Sequence, residues 1–485
     1  MPWTRLLVVC LVCLLAPHTG LAGAPVPDAP SVAQALELAQ AWLEAQHAYE
    51  QVPGVSAAIV HGERVLWIGG FGRAALPDGP PVGPDTIYRI GSLSKLFTSI
   101  ALLQLRDAGR LRLDEPITTY LPWFPARPGA TGKPVTVAGL LTHSSGLPMD
   151  AGMPYWSPPD FRFPTRQEFR DWLEGPGPSP WSPAGEHYQY SSVGLAVAGE
   201  VVAAVSGRPY AEYVQEKILT PLGLESTGLD LPKPPTPRLA TGYGYLTRQG
   251  TRDPFPPVTT QAFAPATGFV STVRDLARFA VWQLRLRAHG GTEVLNAGTL
   301  REMQTPQFTD EVEGVRRGLG FVWWQANGRE FVGHSGSTGG HRAFLQLEPV
   351  AQLGVVLLVN AYGTDVGLWA RRLSDIVLAA LQAPPSVTQA RSADAPALAA
   401  FAGNYGNMPF LREIAVRPWG TGLAVLGLPT GDPIGNMDVL KQTGSQTFRR
   451  VRKDGSLSTE YVFEMGADGR AVRAVRDNDI LLRAK

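Results

Sequence analysis

The sequence predicts an α+β fold: an antiparallel sheet flanked by helices plus a helical lobe, followed by a small all-β domain. Three observations carry this. Helix-period and strand-period segments occur together at both ends of residues 25–383. The middle of that stretch is mostly helical. Short alternating strands with Asp-Gly turns fill 398–485. Helices and strands grouped in this way suit a sheet covered by helices, with a second layer architecture after it.

Taken in order, 31–49 is an amphipathic helix with Ser31 placed to cap it. Residues 54–72 read as two strands joined at His61-Gly62. Next comes the helix in "IGSLSKLFTSIALLQL" (90–105), with Gly91 just before its start. Residues 110–310 are loops and helices rich in Gly and Pro, of which 271–285 is the clearest helix, capped by Ser271 or Thr272. Strands return at 318–325, 330–336, 342–349 and 353–360, and a helix at 365–382 closes the unit. Residues 384–397 have the composition of a linker. Beyond it, 413–418, 422–428, 458–465 and 470–477 are short strands, with hairpin pairs at Asp454-Gly455 and Asp468-Gly469. Their spacing fits a barrel or a sandwich equally well.

At 485 residues, 44% hydrophobic and 18% charged, the chain is globular and too apolar for disorder. A net charge of +1 without basic runs gives no indication of a nucleic-acid or anionic-membrane partner. Arg5 and the apolar stretch 6–16 read as an export signal over 1–24, cleaved after Ala24, with Ala22-Gly23-Ala24 as the small-residue site. That predicts a secreted or periplasmic protein with no stable membrane insertion after cleavage. Both cysteines, Cys10 and Cys13, lie in the signal, so the mature chain has no disulfide and no cysteine nucleophile.

The chemistry starts at Ser92 and Lys95. Positions i and i+3 share a helical face. A serine at a helix start has free backbone N–H groups around it to stabilise a developing oxyanion. A desolvated lysine beside it can lose its proton and act as a base. The plain alternative is a capping serine and a snorkelling lysine. Of the seven lysines, however, only Lys95 has a serine three residues before it. A second segment, Tyr190-Ser191-Ser192, precedes the apolar helix 193–204. A tyrosine at a helix mouth would have its pKa lowered by N–H donors and a neighbouring cation, unless it is simply a core residue. A third segment is "VGHSGSTGGHRAF" (332–344). Its Gly336, Gly339 and Gly340 allow close approach of a backbone or ligand, and His334 can offer a proton or a polar contact. "GHSGS" is not the G-x-S-x-G elbow, because the fifth residue is Ser337 and another strand follows. The eight histidines show no metal-ligand spacing, and neither a metal nor another cofactor is expected.

In this order the three segments resemble the motifs of the class C β-lactamase family, which includes DD-peptidases, D-aminopeptidases and family VIII esterases. "GSLSK" (91–95), "YQYSS" (188–192) and "GHSGSTGG" (333–340) match its three motifs. "LDEPITTYLP" (113–122), "LLTHSSGLP" (140–148), "PLGLESTGL" (221–229) and "PATGFVSTVRDLARF" (265–279) fall between them, as family-like pieces. The resemblance covers about 55–382 and implies the β-lactamase/transpeptidase-like fold. It implies Ser92 as an acylated nucleophile, with Lys95 and Tyr190 sharing its proton. It also implies an oxyanion hole from the backbone of Ser92 and Ser337 beside Gly336, and His334 shaping the site electrostatically. Ser192 departs from the family's Asn, which favours esters or small amides over β-lactams and peptides. The expectation is an exported serine hydrolase acting through an acyl-enzyme on esters or small amides, its partner being a small-molecule ester, amide or peptide. The alternatives are a D-amino-acid-specific peptidase and an inactive cell-wall peptide-binding or penicillin-binding protein. Residues 398–485, with "FAGNYG" (401–406), resemble the small lipocalin-like barrel appended to some peptidases of this family.

Overall fold

The computed structural model describes residues 30–125, 133–152, 161–175, 183–232, 236–382, 395–406, 409 and 411–484. The expected signal 1–24 lies outside the described residues, as does the linker 384–397 except for its last three positions. The chain forms two compact units. The larger holds 32–382 with 426–437, and the smaller holds the described residues of 383–425 and 438–485.

The larger unit is built on an eight-stranded antiparallel sheet and a second sheet of three short strands. In chain order its strands are β1 Gly54–His61, β2 Arg64–Gly72, β3 Tyr88–Arg89, β4 Gly228–Leu229, β5 Phe269–Ser271, β6 Phe308–Asp310, β7 Val315–Arg317, β8 Val322–Ala326, β9 Arg329–Thr338, β10 His341–Glu348 and β11 Leu353–Val359. The main sheet runs β2-β1-β11-β10-β9-β8-β7-β6, and the small one β3-β5-β4. Every residue of β1 except His61, and every residue of β11, is buried, so both faces of the sheet centre are covered. Ala58 and Val60 of β1, with Val356 and Leu358 of β11, pack in one core with Phe279 and Ala280 of the helix Val273–His289. The other face meets the helices Val32–Tyr49 and Val366–Leu381, joined by an edge-to-face contact of Trp42 with Trp369 at 6.3 Å.

Thr272, one of the two caps expected for the long helix, accepts from Asp275 N, and Ser271 ends β5 instead. The strand expected at 318–325 starts only at Val322. The short strands β3 to β7 escaped the sequence because two or three residues are too few to show a period.

The smaller unit settles barrel against sandwich. Eight strands, β12 Gly403–Gly406, β13 Ile414–Trp419, β14 Gly422–Gly427, β15 Met437–Gln442, β16 Thr447–Val451, β17 Leu457–Met465, β18 Ala471–Arg476 and β19 Asp479–Arg483, close into a barrel in chain order. Its core includes Phe401, Tyr405, Phe448, Tyr461 and Phe463.

Candidate active site

Ser92 lies in a 3₁₀ turn, Gly91–Leu93, that runs directly into the helix Ser94–Asp107. Two side chains hold this junction. Ser94 Oγ donates to Gly91 O at 2.5 Å and accepts from Phe269 N of β5 at 3.0 Å. Thr98 Oγ1, one turn along, donates to Pro265 O at 2.6 Å.

Strand β9 approaches from the other side. It pairs with β8 up to Gly333 and then loses that neighbour, so from His334 to Thr338 its only partner strand among the described residues is β10. Gly339 and Gly340 both have positive φ, 52° and 76°, as a two-residue hairpin turn of the primed type needs. Such a turn makes Thr338 and His341 the hydrogen-bonded pair. By alternation Ser337 then faces Arg342 as a non-bonded pair, with its own N–H turned to the open edge. The Ser92 turn leans on that edge so closely that side chains are excluded. A Cβ on Gly336 would lie 1.9 Å from Ile90 O and 3.2 Å from Ser92 N. A Cβ on Gly91, whose φ is +51°, would lie 2.5 Å from Ser337 N. These contacts bring the amides of Ser92 and Ser337 together.

Tyr190 precedes the helix Ser192–Ser206, whose N-cap Ser191 accepts from Gly194 N. The "LLTHSSGLP" segment and the residue after it hold that helix mouth from behind. His143 Nδ1 accepts from Ser191 N at 3.1 Å, His143 O from Gln189 N at 2.7 Å and Met149 O from Ser192 N at 2.9 Å. The His143 ring also lies against Tyr190, with centroids 4.4 Å apart and planes 33° from parallel.

The three expected groups converge. Tyr190 OH donates to Ser92 Oγ at 2.7 Å, and Lys95 Nζ donates to it at 3.2 Å. Lys95 Nζ also donates to Ala266 O at 2.8 Å and to Ser192 Oγ at 3.5 Å, and lies 4.9 Å from the centre of the Tyr190 ring. Ser192 thus occupies a place beside the lysine, but at the long limit of a hydrogen bond.

Burial sorts the site by charge type. Lys95 is fully buried, and desolvation pulls its pKa down to about 7 against a small upward pull from Asp150. Burial disfavours the charged form, which for a lysine is the acid and for a tyrosine is the base. The expected lowering of Tyr190 is therefore reversed. Desolvation pushes it up to about 12, outweighing the Ser92 hydrogen bond and the Arg317 charge. His334 is corrected too. Burial and the Lys95 charge hold it down to about 3, so it is neutral and does not offer a titrating proton at physiological pH. Its Nδ1 contacts Ser335 O at 2.5 Å. A carbonyl only accepts, so that nitrogen carries the hydrogen. Nε2 is left as a buried acceptor without a partner among the described residues.

Residue-level reading missed His143, the Ala266 carbonyl and Ser94. Their segments were visible, but a ring contact or a carbonyl acceptor leaves no mark in residue spacing. Among the described residues no group of His, Cys, Asp and Glu is arranged to hold a metal ion, and no helix is long and apolar enough to cross a membrane.

Comparison with known proteins bears on the family and the fold. The family model described as Beta-lactamase matches residues 39–377. Penicillin-binding protein 4 of Amycolatopsis lactamdurans is 30% identical over 297 residues, covering 58% of this chain and 74% of that protein. The D-alanyl-D-alanine-carboxypeptidase/endopeptidase AmpH of Escherichia coli (strain K12) is 26% identical over 284 residues, covering 57% and 71%. The structure of the class C beta lactamase from Rhodobacter sphaeroides superimposes with a TM-score of 0.57 at 25% identity, over 72% of this chain and 100% of that one.

Proposed function

The chain belongs to the beta-lactamase family of serine hydrolases, and we propose that it cleaves esters or small amides through an acyl-enzyme on Ser92. The observation that carries this is the convergence of Tyr190 OH and Lys95 Nζ on one serine oxygen, at 2.7 and 3.2 Å.

With a pKa of about 7, Lys95 has a sizeable neutral fraction near neutral pH. The free amine takes the Ser92 hydroxyl proton, with Tyr190 as the neutral hydroxyl that passes it on. Ser92 Oγ bonds to the substrate carbonyl carbon, and the oxygen that becomes negative is held by the amides of Ser92 and Ser337. As the tetrahedral intermediate collapses, the carbon–oxygen or carbon–nitrogen bond breaks. The leaving group takes the proton back through Tyr190. Water then adds to the acyl carbon while Lys95 again accepts a proton. The acid departs and the Ser92 hydroxyl is restored. Buried neutral His334 supplies a wall that adds no competing charge beside Lys95.

Ser192 supports the preference for esters. A serine hydroxyl has one donor hydrogen where an asparagine amide has two, and it reaches less far. A substrate amide entering here loses a partner, at a cost of about 1–3 kcal/mol. The two relatives named for penicillin binding and for D-alanyl-D-alanine peptidase activity support a second reading, cleavage of small D-amino-acid peptides. Export is part of the proposal and rests on Arg5, the apolar run 6–16 and Ala22-Gly23-Ala24.

The test is intact mass after exposure to a fluorophosphonate and, separately, to a penicillin. A single fluorophosphonate adduct mapping to 90–95 is expected, with little or no penicilloyl adduct. Labelling elsewhere, or none by any serine probe, removes the enzyme reading. A long-lived penicilloyl adduct on Ser92 moves the assignment to the peptidase or binding reading.

A further inference from the structure

Arg89 has no role in the mechanism above, although it stands three residues before Ser92. It lies on β3, paired with Val270 of β5, and is only 3% exposed. Among the described residues neither Nη1 nor Nη2 of its guanidinium has a hydrogen-bond partner. The charge of Asp230 reaches Arg89, but that carboxylate is taken by Thr260 N and Oγ1 at 2.7 Å each and by Gln261 N at 3.2 Å. The turn between β9 and β10 covers the arginine. A Cβ on Gly339 would lie 3.2 Å from Arg89 Cδ and 3.5 Å from Nε. His341 ends the same turn, with Nδ1 3.0 Å from Gly339 O and Nε2 3.1 Å from Ala240 O. Carbonyls only accept, and a neutral imidazole carries one hydrogen, so only the protonated ring satisfies both. Burial and the Arg89 charge instead hold the buried ring down to about 4. The turn therefore encloses a cation whose terminal nitrogens are unpaired and a ring lacking a hydrogen for its second carbonyl. A buried charge is normally paired, and a water would satisfy donors without neutralising the charge. One anion beside Arg89 answers both needs, because it also favours the protonated ring.

We propose that Arg89 binds a small inorganic monoanion, chloride, beneath the β9–β10 turn, and that the bound ion holds the amides of Ser92 and Ser337 in register. The size follows from burial: a guanidinium this enclosed suits an ion of atomic dimensions and not the carboxylate of a bulky molecule. The single charge follows from Asp230, which repels a dianion more strongly. The link to the amides is the backbone. Arg89 runs into Ile90, whose carbonyl meets Gly336, and into Gly91, which meets Ser337 N. Gly339 follows Ser337 by two residues. An ion that pins Arg89 to the turn thus joins the segment bearing Ser92 to the strand end bearing Ser337. The binding half of the proposal stands whether or not Ser92 is acylated.

The experiment follows Tm and kcat/KM for nitrophenyl acetate as sodium chloride replaces sodium gluconate at constant ionic strength. Tm should climb with the logarithm of chloride concentration, as binding to the folded state alone requires. kcat/KM should rise roughly 5-fold or more, the lower range of coupling between two sites. Both responses should vanish in Arg89→Gln. A chloride response that survives the substitution overturns the site, because the ion then acts elsewhere. Should Arg89→Gln not fold, crystals of the wild type grown in sodium bromide decide the matter. An anomalous peak in contact with Arg89 Nη1 or Nη2 supports the site, and ordered water there without a peak overturns it. A response of Tm without one of rate overturns the link to the two amides. A bromide peak at Arg89 in a protein that neither hydrolyses the ester nor takes a fluorophosphonate on Ser92 upholds the anion site and refutes the acyl-enzyme reading alone.

Discussion

The two halves of β9 behave differently although they belong to one strand. From Arg329 to Gly333 the strand lies against β8, and its backbone groups on that edge are used in the ladder. From His334 to Thr338 no strand among the described residues lies on that edge, and the turn bearing Ser92 stands there instead. The first half has Glu330 exposed to solvent and takes no part in the candidate site. The second half supplies the Ser337 amide, the buried His334 and the glycine against which Ser92 rests. An unfinished sheet edge thus leaves an ordered backbone donor, the Ser337 N–H, facing the candidate site. The cost of the open ladder is offset by close packing of a second backbone, which only glycine permits.

The most severe way to break this contrast is to remove what faces the open half. Lys95→Ala and Tyr190→Phe should each lower kcat by about 10²- to 10⁴-fold, the usual scale of a proton-transfer group. The double variant should be little worse than either, because the two handle one proton as a unit. Steady-state kinetics on all four proteins, at matched melting temperatures, checks this. Losses that multiply would separate the two roles.

A substitution on the strand itself should do somewhat less. In Gly336→Ala the new Cβ would lie 1.9 Å from Ile90 O, a backbone atom that must move. A shift of about 1 Å at the nucleophile costs on the order of 10²-fold in rate. Glu330→Ala, on the closed half, should leave kcat/KM within error. If the two variants fall equally, β9 matters as a whole and the contrast between its halves fails.

The smallest effect is a change of pH, which sharpens the contrast by asking which buried group titrates. Lys95 must be neutral to accept the proton, and its pKa is about 7. kcat/KM should therefore rise about 10-fold per pH unit below that value and level off above it. His334, at about 3, and Tyr190, at about 12, lie too far away to add a second limb between pH 5.5 and 9. A pH–rate profile corrected for spontaneous ester hydrolysis reads this directly. A rising limb near pH 10 would mean that the lysine is effectively solvated.

Much of the site was legible before folding. The serine–lysine spacing is a local signal, because the helical period alone brings i and i+3 together, and the Ser92–Lys95 bond follows from it. The long helices, β1 and β2, and the strands from β9 to β11 were legible because repeated burial on a face leaves a period in the sequence. Tyr190 and the "GHSGS" strand could be noticed from their residues, but their roles came only from resemblance to a family pattern. The Tyr190–Ser92 bond spans 98 positions, and no local rule spans such a distance.

What the sequence alone determined is therefore the inventory: an α+β frame, a β-rich tail, one lysine placed like no other, and three segments carrying chemistry. The tertiary structure decided the rest. It closed the tail into a barrel, set His143 against Tyr190 and ended the β8 ladder one residue short of His334. It also set which of the two buried groups gives up its proton more readily. Lysine and tyrosine side chains do not reveal this by themselves. Burial stabilises the neutral form of each, so the same desolvation that frees the amine of Lys95 locks the proton on Tyr190.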